Sequence, residues 1–146
     1  MKDKLLFYLD ADFTHFALAH FLQQKYDCEI YAIIDITNKP KEFFLKQKLV
    51  NFKKIWFVHD DIKLDKDTVD LEYLKKIEEE FGIDLWKIII NDRIFYRFYN
   101  FHKFSRNDLL SITEQFAKKF LKILNDIKPD FFILEQPALF HAELLY

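Results

Sequence analysis

The sequence predicts an α/β fold: a three-layer domain whose parallel sheet has four strands in the order 3-2-1-4, with helices on both faces. Short apolar runs alternate along the chain with longer stretches whose apolar side chains recur at helical spacing. That alternation is typical of a parallel sheet with covering helices, and right-handed crossovers favour the 3-2-1-4 order. The 146 residues, 51% of them hydrophobic and 32% charged, suffice for one globular domain with a sizeable core.

The first half of the chain alternates strands with helices. Apolar runs bounded by polar residues predict buried strands at 5–9, 29–34 and 54–58. A helix at 13–25 has one face formed by Phe13, Phe16, Ala17, His20 and Phe21. Asn38 and Pro40 are typical of an N-cap and an early helical proline, and they predict a second helix to about Val50.

Two helices are predicted in the middle of the chain. The first runs from about Val69 to Phe81 and ends at Gly82, which we expect to adopt the left-handed conformation. The second covers residues 85–101. Its apolar core could also form a strand, but its length and its charged residues favour a helix.

The last third of the chain contains the longest predicted helix. Ser105 and Asp108 resemble a capping box, which opens a helix that continues to about Ile127 and stops before Pro129. A fourth strand and a last helix follow, at 130–134 and 135–146. The whole order of elements is Rossmann-like, and we expect a single domain over residues 1–146.

Composition excludes several classes of function. Gly82 is the only glycine, whereas dinucleotide turns and P-loops each need several glycines to bring backbone close to phosphate. A net charge of −2 gives no general reason to bind nucleic acid. Cys28 is the only cysteine, and no His-x-x-x-His pair occurs among the five histidines, so no metal site is predicted. With no apolar stretch long enough for a membrane span, we expect a cytoplasmic protein without a cofactor.

Polar side chains follow the predicted strands and should meet at the carboxyl edge of the sheet, where ligands bind in such folds. The candidate residues for substrate binding are Asp10, Thr14, Asp35, His59, Asp60 and His141. Asp12, His15 and Glu135 are the candidate catalytic group, because the first and fourth strands are neighbours in the predicted order. Crowded carboxylates raise one another's pKa, and an imidazole exchanges protons near neutral pH.

A purely structural role stays open for these residues. Aspartates after strands commonly cap helices and form turns, which is a sufficient explanation for Asp35, Asp60 and Asp61 taken singly. The aromatic and basic stretch at 94–104 has two interpretations as well. It could stack bases of a single nucleic-acid strand, but packing in a core or against a partner is the simpler interpretation.

One resemblance covers most of the chain. The run Phe7–Ala19, with Leu85-Trp86, Arg93–Tyr96, Pro129–Glu135 and His141, resembles the amino-terminal half of capsular-polysaccharide-type glycosyltransferases with two Rossmann domains (GT-B). The resemblance implies an acceptor-side domain that binds a saccharide and can supply the catalytic base. It also implies that a carboxy-terminal domain holds the nucleotide sugar, so that this chain alone is inactive.

A second resemblance is confined to ten residues. Asp10-Ala11-Asp12-Phe13-Thr14 resembles the D-x-D-x-T signature of haloacid-dehalogenase-like phosphotransferases. It implies a Mg²⁺-dependent phosphatase in which Asp10 attacks phosphorus and Asp12 is the acid/base. Phe13 stands where that family usually has glycine, and a helix follows without the family's intervening elements. A non-catalytic interaction domain is the third possibility.

We also expect the chain to be half of a larger protein and to self-associate. A four-stranded sheet leaves an open edge, and the helix at 85–101 carries more apolar surface than such a sheet can cover. These features predict a symmetric dimer, formed through the aromatic helix or through the sheet edge.

Overall fold

The computed structural model describes residues 2–10, 13–36, 39–63, 68–92, 95, 103–135 and 139–145. Contacts divide the chain into two compact units: Met1–Asp60 with Leu124–Gln136, and Asp61–Ile123 with Pro137–Tyr146. The helices and strands are β1 (Asp3–Leu9), α1 (Phe13–Lys25), β2 (Cys28–Ile34), α2 (Lys41–Lys46), β3 (Phe52–Phe57), α3 (Leu71–Phe81), α4 (Leu85–Asn91), α5 (Arg106–Ile127), β4 (Phe131–Ile133) and α6 (Phe140–Glu143). None of the helices in the described ranges combines the length and the apolar character that crossing a membrane requires.

The first unit contains a parallel four-stranded sheet in the order β3-β2-β1-β4. The α/β class, the Rossmann-like sheet and the 3-2-1-4 strand order are therefore confirmed. In the register, Leu9 pairs with Ile34 at the carboxyl ends of β1 and β2, and Phe7 pairs with Ile133 of β4. The prediction of a single domain that is half of a larger protein stays a prediction.

Both faces of the two central strands are buried. Alternate residues of β1 and β2 pack on one face against side chains of α1, α2 and the following loop, in a cluster of Leu5, Phe7, Leu9, Phe16, Ala19, Ile30, Ala32, Ile34, Phe44 and Val50. Leu6, Tyr8 and Ile33 alternate with these residues and are buried as well. This double burial explains why both strands are continuous apolar runs rather than alternating ones.

Helix α1 has the predicted bounds but a different buried face. The prediction placed Phe13, Ala17 and Phe21 on the inner side, whereas the structure buries Phe16 and Ala19. Phe13 and Phe21 are 64% and 51% exposed. Apolar side chains lie almost all around this helix, so its periodicity does not single out one face.

Helix α2 is shorter than predicted, because it ends at Lys46 and not near Val50. Gln47 takes an extended backbone conformation. Its Oε1 accepts the backbone N–H groups of Leu49 and Val50, and its Nε2 donates to the carbonyl of Val50. These bonds give the chain an alternative to another helical turn. Pro40 precedes the helix without a side-chain cap, and the predicted cap Asn38 lies outside the described residues.

In the second unit, the caps of α3 and α4 explain their bounds. Asp70 and Asp84 accept backbone N–H groups at the starts of the two helices, and Gly82 ends α3 with φ 66° as predicted. Helix α4 stops at Asn91, so the predicted helix at 85–101 is wrong at Asp92, whose backbone is extended. The buried Asp92 carboxylate accepts the backbone N–H of Phe140 at 2.5 Å. Residues 93–94 and 96–102 lie outside the described part.

The capping box of α5 is confirmed. The backbone N–H of Ser105 donates to Asp108 at 2.7 Å, and that of Asp108 donates to the Ser105 hydroxyl at 3.1 Å. The last predicted helix is wrong in its extent. Leu139 is extended, and α6 covers only Phe140–Glu143.

Candidate functional site

Each strand of the sheet is followed at its carboxyl end by a predicted site residue. Asp10 follows β1, Asp35 follows β2 and Glu135 lies two positions after β4. His59 comes one residue after Val58, whose backbone N–H extends the ladder by donating to Ile34. The strand order brings these positions to one edge of the first unit, where ligands bind in open parallel sheets.

A chain of hydrogen bonds connects three neighbouring strands at this edge. The Tyr8 hydroxyl donates to Asp35 Oδ2 at 2.7 Å, and His59 Nε2 lies 3.0 Å from Asp35 Oδ1. Tyr8 belongs to β1, while Asp35 and His59 follow β2 and β3. We call these three residues the Tyr8–Asp35–His59 relay.

Burial differs along the relay. The Tyr8 residue is 5% exposed, the Asp35 side chain is 9% exposed and the His59 side chain is 50% exposed. Burial, followed by the Asp35 charge, raises the pKa of the Tyr8 phenol. Tyr8 therefore stays protonated. Its hydroxyl is a fixed hydrogen-bond donor that holds the Asp35 carboxylate in place from the buried side of the site.

The relay also determines the tautomer of His59. A carboxylate oxygen only accepts hydrogen bonds, so Nε2 must carry the proton that faces Asp35. In the neutral ring the lone pair then lies on Nδ1. An imidazole oriented in this way by a carboxylate can accept a proton from a substrate, while the carboxylate stabilises the cation that forms.

Asp60, predicted to bind substrate, forms an ion pair with Lys41 of α2. The Lys41 ammonium also lies 5.1 Å from the centre of the Phe57 ring. The end of β3 is thereby connected to α2, so a structural role is sufficient for Asp60.

The structure describes three of the four candidate residues in the first loop and the start of α1. Asp12 lies outside the described residues, Asp10 is half-buried and Thr14 is exposed. His15 is half-buried on the first turn of α1. Its Nδ1 is shielded from solvent and makes no hydrogen bond within the described ranges. The catalytic assignment of Asp12, His15 and Glu135 stays a prediction.

Glu135 and His141 lie in contrasting surroundings. Glu135 is exposed beyond the end of β4. His141 belongs to α6 of the second unit, is 1% exposed and stacks on Phe116 with 5.4 Å between ring centres. In this unit its ring lies against the rings of Phe116 and Phe140. Its assignment to substrate binding stays a prediction too.

Tyr8 was missed by the analysis of the sequence, which treated it as part of an apolar strand. One signal was available: a strand buried on both faces seldom includes a phenol unless its hydroxyl has a partner. The partner itself depends on the register, which places Tyr8 beside Ile33, two residues before Asp35.

Comparison with family models, curated proteins and solved structures gives no match. The chemistry of the relay and its place in the sheet are therefore the evidence for function.

Proposed function

We propose that this chain is the acceptor-side domain of a cytoplasmic, glycosyltransferase-like protein of surface-polysaccharide biosynthesis. In this proposal His59 is the base that removes a proton from the acceptor hydroxyl. The observation that carries the proposal is the Tyr8–Asp35–His59 relay at the carboxyl edge of the sheet. The resemblance of Phe7–Ala19 and Pro129–Glu135 to the acceptor half of such enzymes supports the choice of substrate class.

The proposed reaction transfers a glycosyl group to a saccharide hydroxyl. The acceptor oxygen bonds to the anomeric carbon of the donor as the bond to the nucleotide leaving group breaks, and the hydroxyl proton moves to His59 Nδ1. Asp35 stabilises the imidazolium, and Tyr8 keeps Asp35 in place. The nucleotide sugar is assigned to a carboxy-terminal domain.

Saccharide binding by this chain tests the proposal without requiring turnover. We expect free hexoses, N-acetylhexosamines and short oligosaccharides, titrated separately, to shift the amide NMR signals of Asp10, Asp35 and His59. His59→Gln and Asp35→Asn should each weaken binding by roughly threefold to tenfold, the effect of losing or misaligning one neutral hydrogen bond. His20→Gln is the matched control, because His20 bonds to the Leu49 carbonyl on the side of α1.

Two results would contradict the proposal. One is the absence of shifts at the strand ends with every saccharide at millimolar concentration. The other is hydrolysis of an aryl phosphate that requires Mg²⁺ and is abolished by Asp10→Asn, which would favour the phosphatase alternative.

A further inference from the structure

The first unit also has an exposed apolar surface on its helical layer. It is formed by α2, the loop after it and the carboxyl-terminal half of α1. Its apolar side chains are Phe21, Phe43, Leu45 and Leu49, which are 51%, 44%, 61% and 51% exposed. We call these four residues, together with Lys25, Lys46 and Lys48, the α1–α2 surface.

The backbone beneath this surface is held by specific contacts. Phe44 and Val50 are each 2% exposed and anchor α2 and the loop in the core, which leaves Phe43, Leu45 and Leu49 on the outside. The loop is also attached to α1. His20 Nδ1 lies 2.7 Å from the Leu49 carbonyl, and the Gln23 amide exchanges two hydrogen bonds with the backbone of Asn51.

The same segment concentrates positive charge. Residues 39–54 contain six lysines and one acidic residue, Glu42, although the whole chain has a net charge of −2. Two of these lysines are neutralised, because Lys41 pairs with Asp60 and Lys53 with Glu29. Lys46 and Lys48 are exposed and form no ion pair with any residue that the structure describes. On α1, the exposed Lys25 lies 5.9 Å from the centre of the Phe21 ring.

We propose that the α1–α2 surface binds the anionic headgroup region of a lipid bilayer. Exposed phenylalanine and leucine enter the boundary between headgroups and acyl chains, while neighbouring lysines extend their ammonium groups to the lipid phosphates. Complementary charge favours this occupant over a protein partner, because lysine is depleted at protein–protein interfaces. The proposal is independent of the saccharide site at the strand ends.

Sedimentation with lipid vesicles tests the proposal. We expect the chain to bind vesicles of equal parts phosphatidylcholine and phosphatidylglycerol, to bind phosphatidylcholine alone much less, and to dissociate as salt screens the charges. Lys46→Gln with Lys48→Gln should lower the partition coefficient by at least about tenfold, because each lysine near an anionic surface contributes roughly fivefold. Leu45→Ser with Leu49→Ser should lower it by a similar factor.

Matched controls come from α3. Leu71 is 60% exposed and Phe81 51% exposed, and Lys75 and Lys76 are exposed as well. Leu71→Ser with Phe81→Ser, and Lys75→Gln with Lys76→Gln, should leave binding within about twofold of the unchanged chain, because α3 lies outside the proposed surface. Circular dichroism on every variant confirms that the fold is retained.

Three outcomes would overturn the proposal. The first is no binding to the anionic vesicles. The second is equal loss of binding in the α3 controls and in the α1–α2 variants. The third is a dimer in light scattering that Leu45→Ser with Leu49→Ser converts to a monomer, which would assign the surface to a second copy of the chain.

Discussion

Tyr8 connects the protein interior with the candidate site. Its hydroxyl donates to Asp35 from a position that is 5% exposed, and Asp35 in turn faces His59. The half-exposed imidazole is thereby oriented by Asp35, which Tyr8 holds from the buried side. Orientation of this kind is what a general base needs, since proton transfer depends on a defined nitrogen at a defined place.

The raised pKa of Tyr8 predicts how stability changes at alkaline pH. Above the ordinary phenol pKa of 10.0, the unfolded chain loses the proton that the folded chain keeps, so Tyr8 reduces stability as the pH rises. The free energy of unfolding should fall by an amount that approaches ~1.4 kcal/mol per pH unit. Tyr8→Phe removes this loss. At about pH 8 the variant should have a lower free energy of unfolding than the unchanged chain, because it lacks the hydrogen bond to Asp35. This difference in the free energy of unfolding should shrink between about pH 8 and pH 11.

Urea unfolding at a series of pH values measures the effect. Tyr26→Phe is the matched control, because Tyr26 is 65% exposed, and it should follow the unchanged chain. A deficit for Tyr8→Phe that stays constant over the whole pH range would contradict a buried, permanently protonated phenol.

At the scale of the elements, capping marks the starts of α3, α4 and α5 and the end of α3. Asp70 and Asp84 each accept a backbone N–H at a helix start, and Ser105 forms a reciprocal box with Asp108. Gly82 ends α3 in the left-handed conformation. These signals involve residues close in sequence, which is why the corresponding bounds were predicted well.

Gly82→Ala tests the cap of α3 by itself. A Cβ at Gly82 would meet no atom within 4 Å, so the substitution adds strain at φ 66° without a steric clash. We expect a loss of about 1–2 kcal/mol in the free energy of unfolding. Gly82→Asn should lose less, because asparagine tolerates this conformation. Equal stability of all three chains in urea unfolding would show that the left-handed cap contributes nothing.

At the scale of the whole molecule, self-association stays a prediction. Leu85 and Ile89 of α4 are buried in the second unit, whereas Trp86 and Ile90 on the same helix are 40% and 53% exposed. On the edge strand β4, Phe131 is 59% exposed. Each location offers apolar surface that a second copy could cover.

Light scattering at tens of micromolar should show a dimer, and substitutions then identify its interface. Trp86→Ser with Ile90→Ser should produce a monomer if α4 forms the contact, and Phe131→Ser should do so if the sheet edge forms it. A monomer of the unchanged chain without binding of an apolar dye would contradict the prediction.

The sequence by itself determined the alternation of strands and helices, and with it the parallel sheet and its strand order. It also indicated the caps at Gly82 and Ser105. Periodicity and capping act between residues a few positions apart, so the sequence displays them directly. The same signals placed polar residues after each strand, which correctly located Asp35 and His59 at the ends of β2 and β3.

Only the tertiary structure decided which of these residues contact one another. Asp35 is 27 positions from Tyr8 and 24 from His59, so their hydrogen bonds depend on the register of parallel strands. The inner face of α1 was likewise undetermined, because its apolar side chains lie nearly all around the helix. Glu114 of α5 is fully buried, bonded to Lys118 and to the backbone of Asp70. Such contacts depend on long-range packing, which local sequence patterns do not encode.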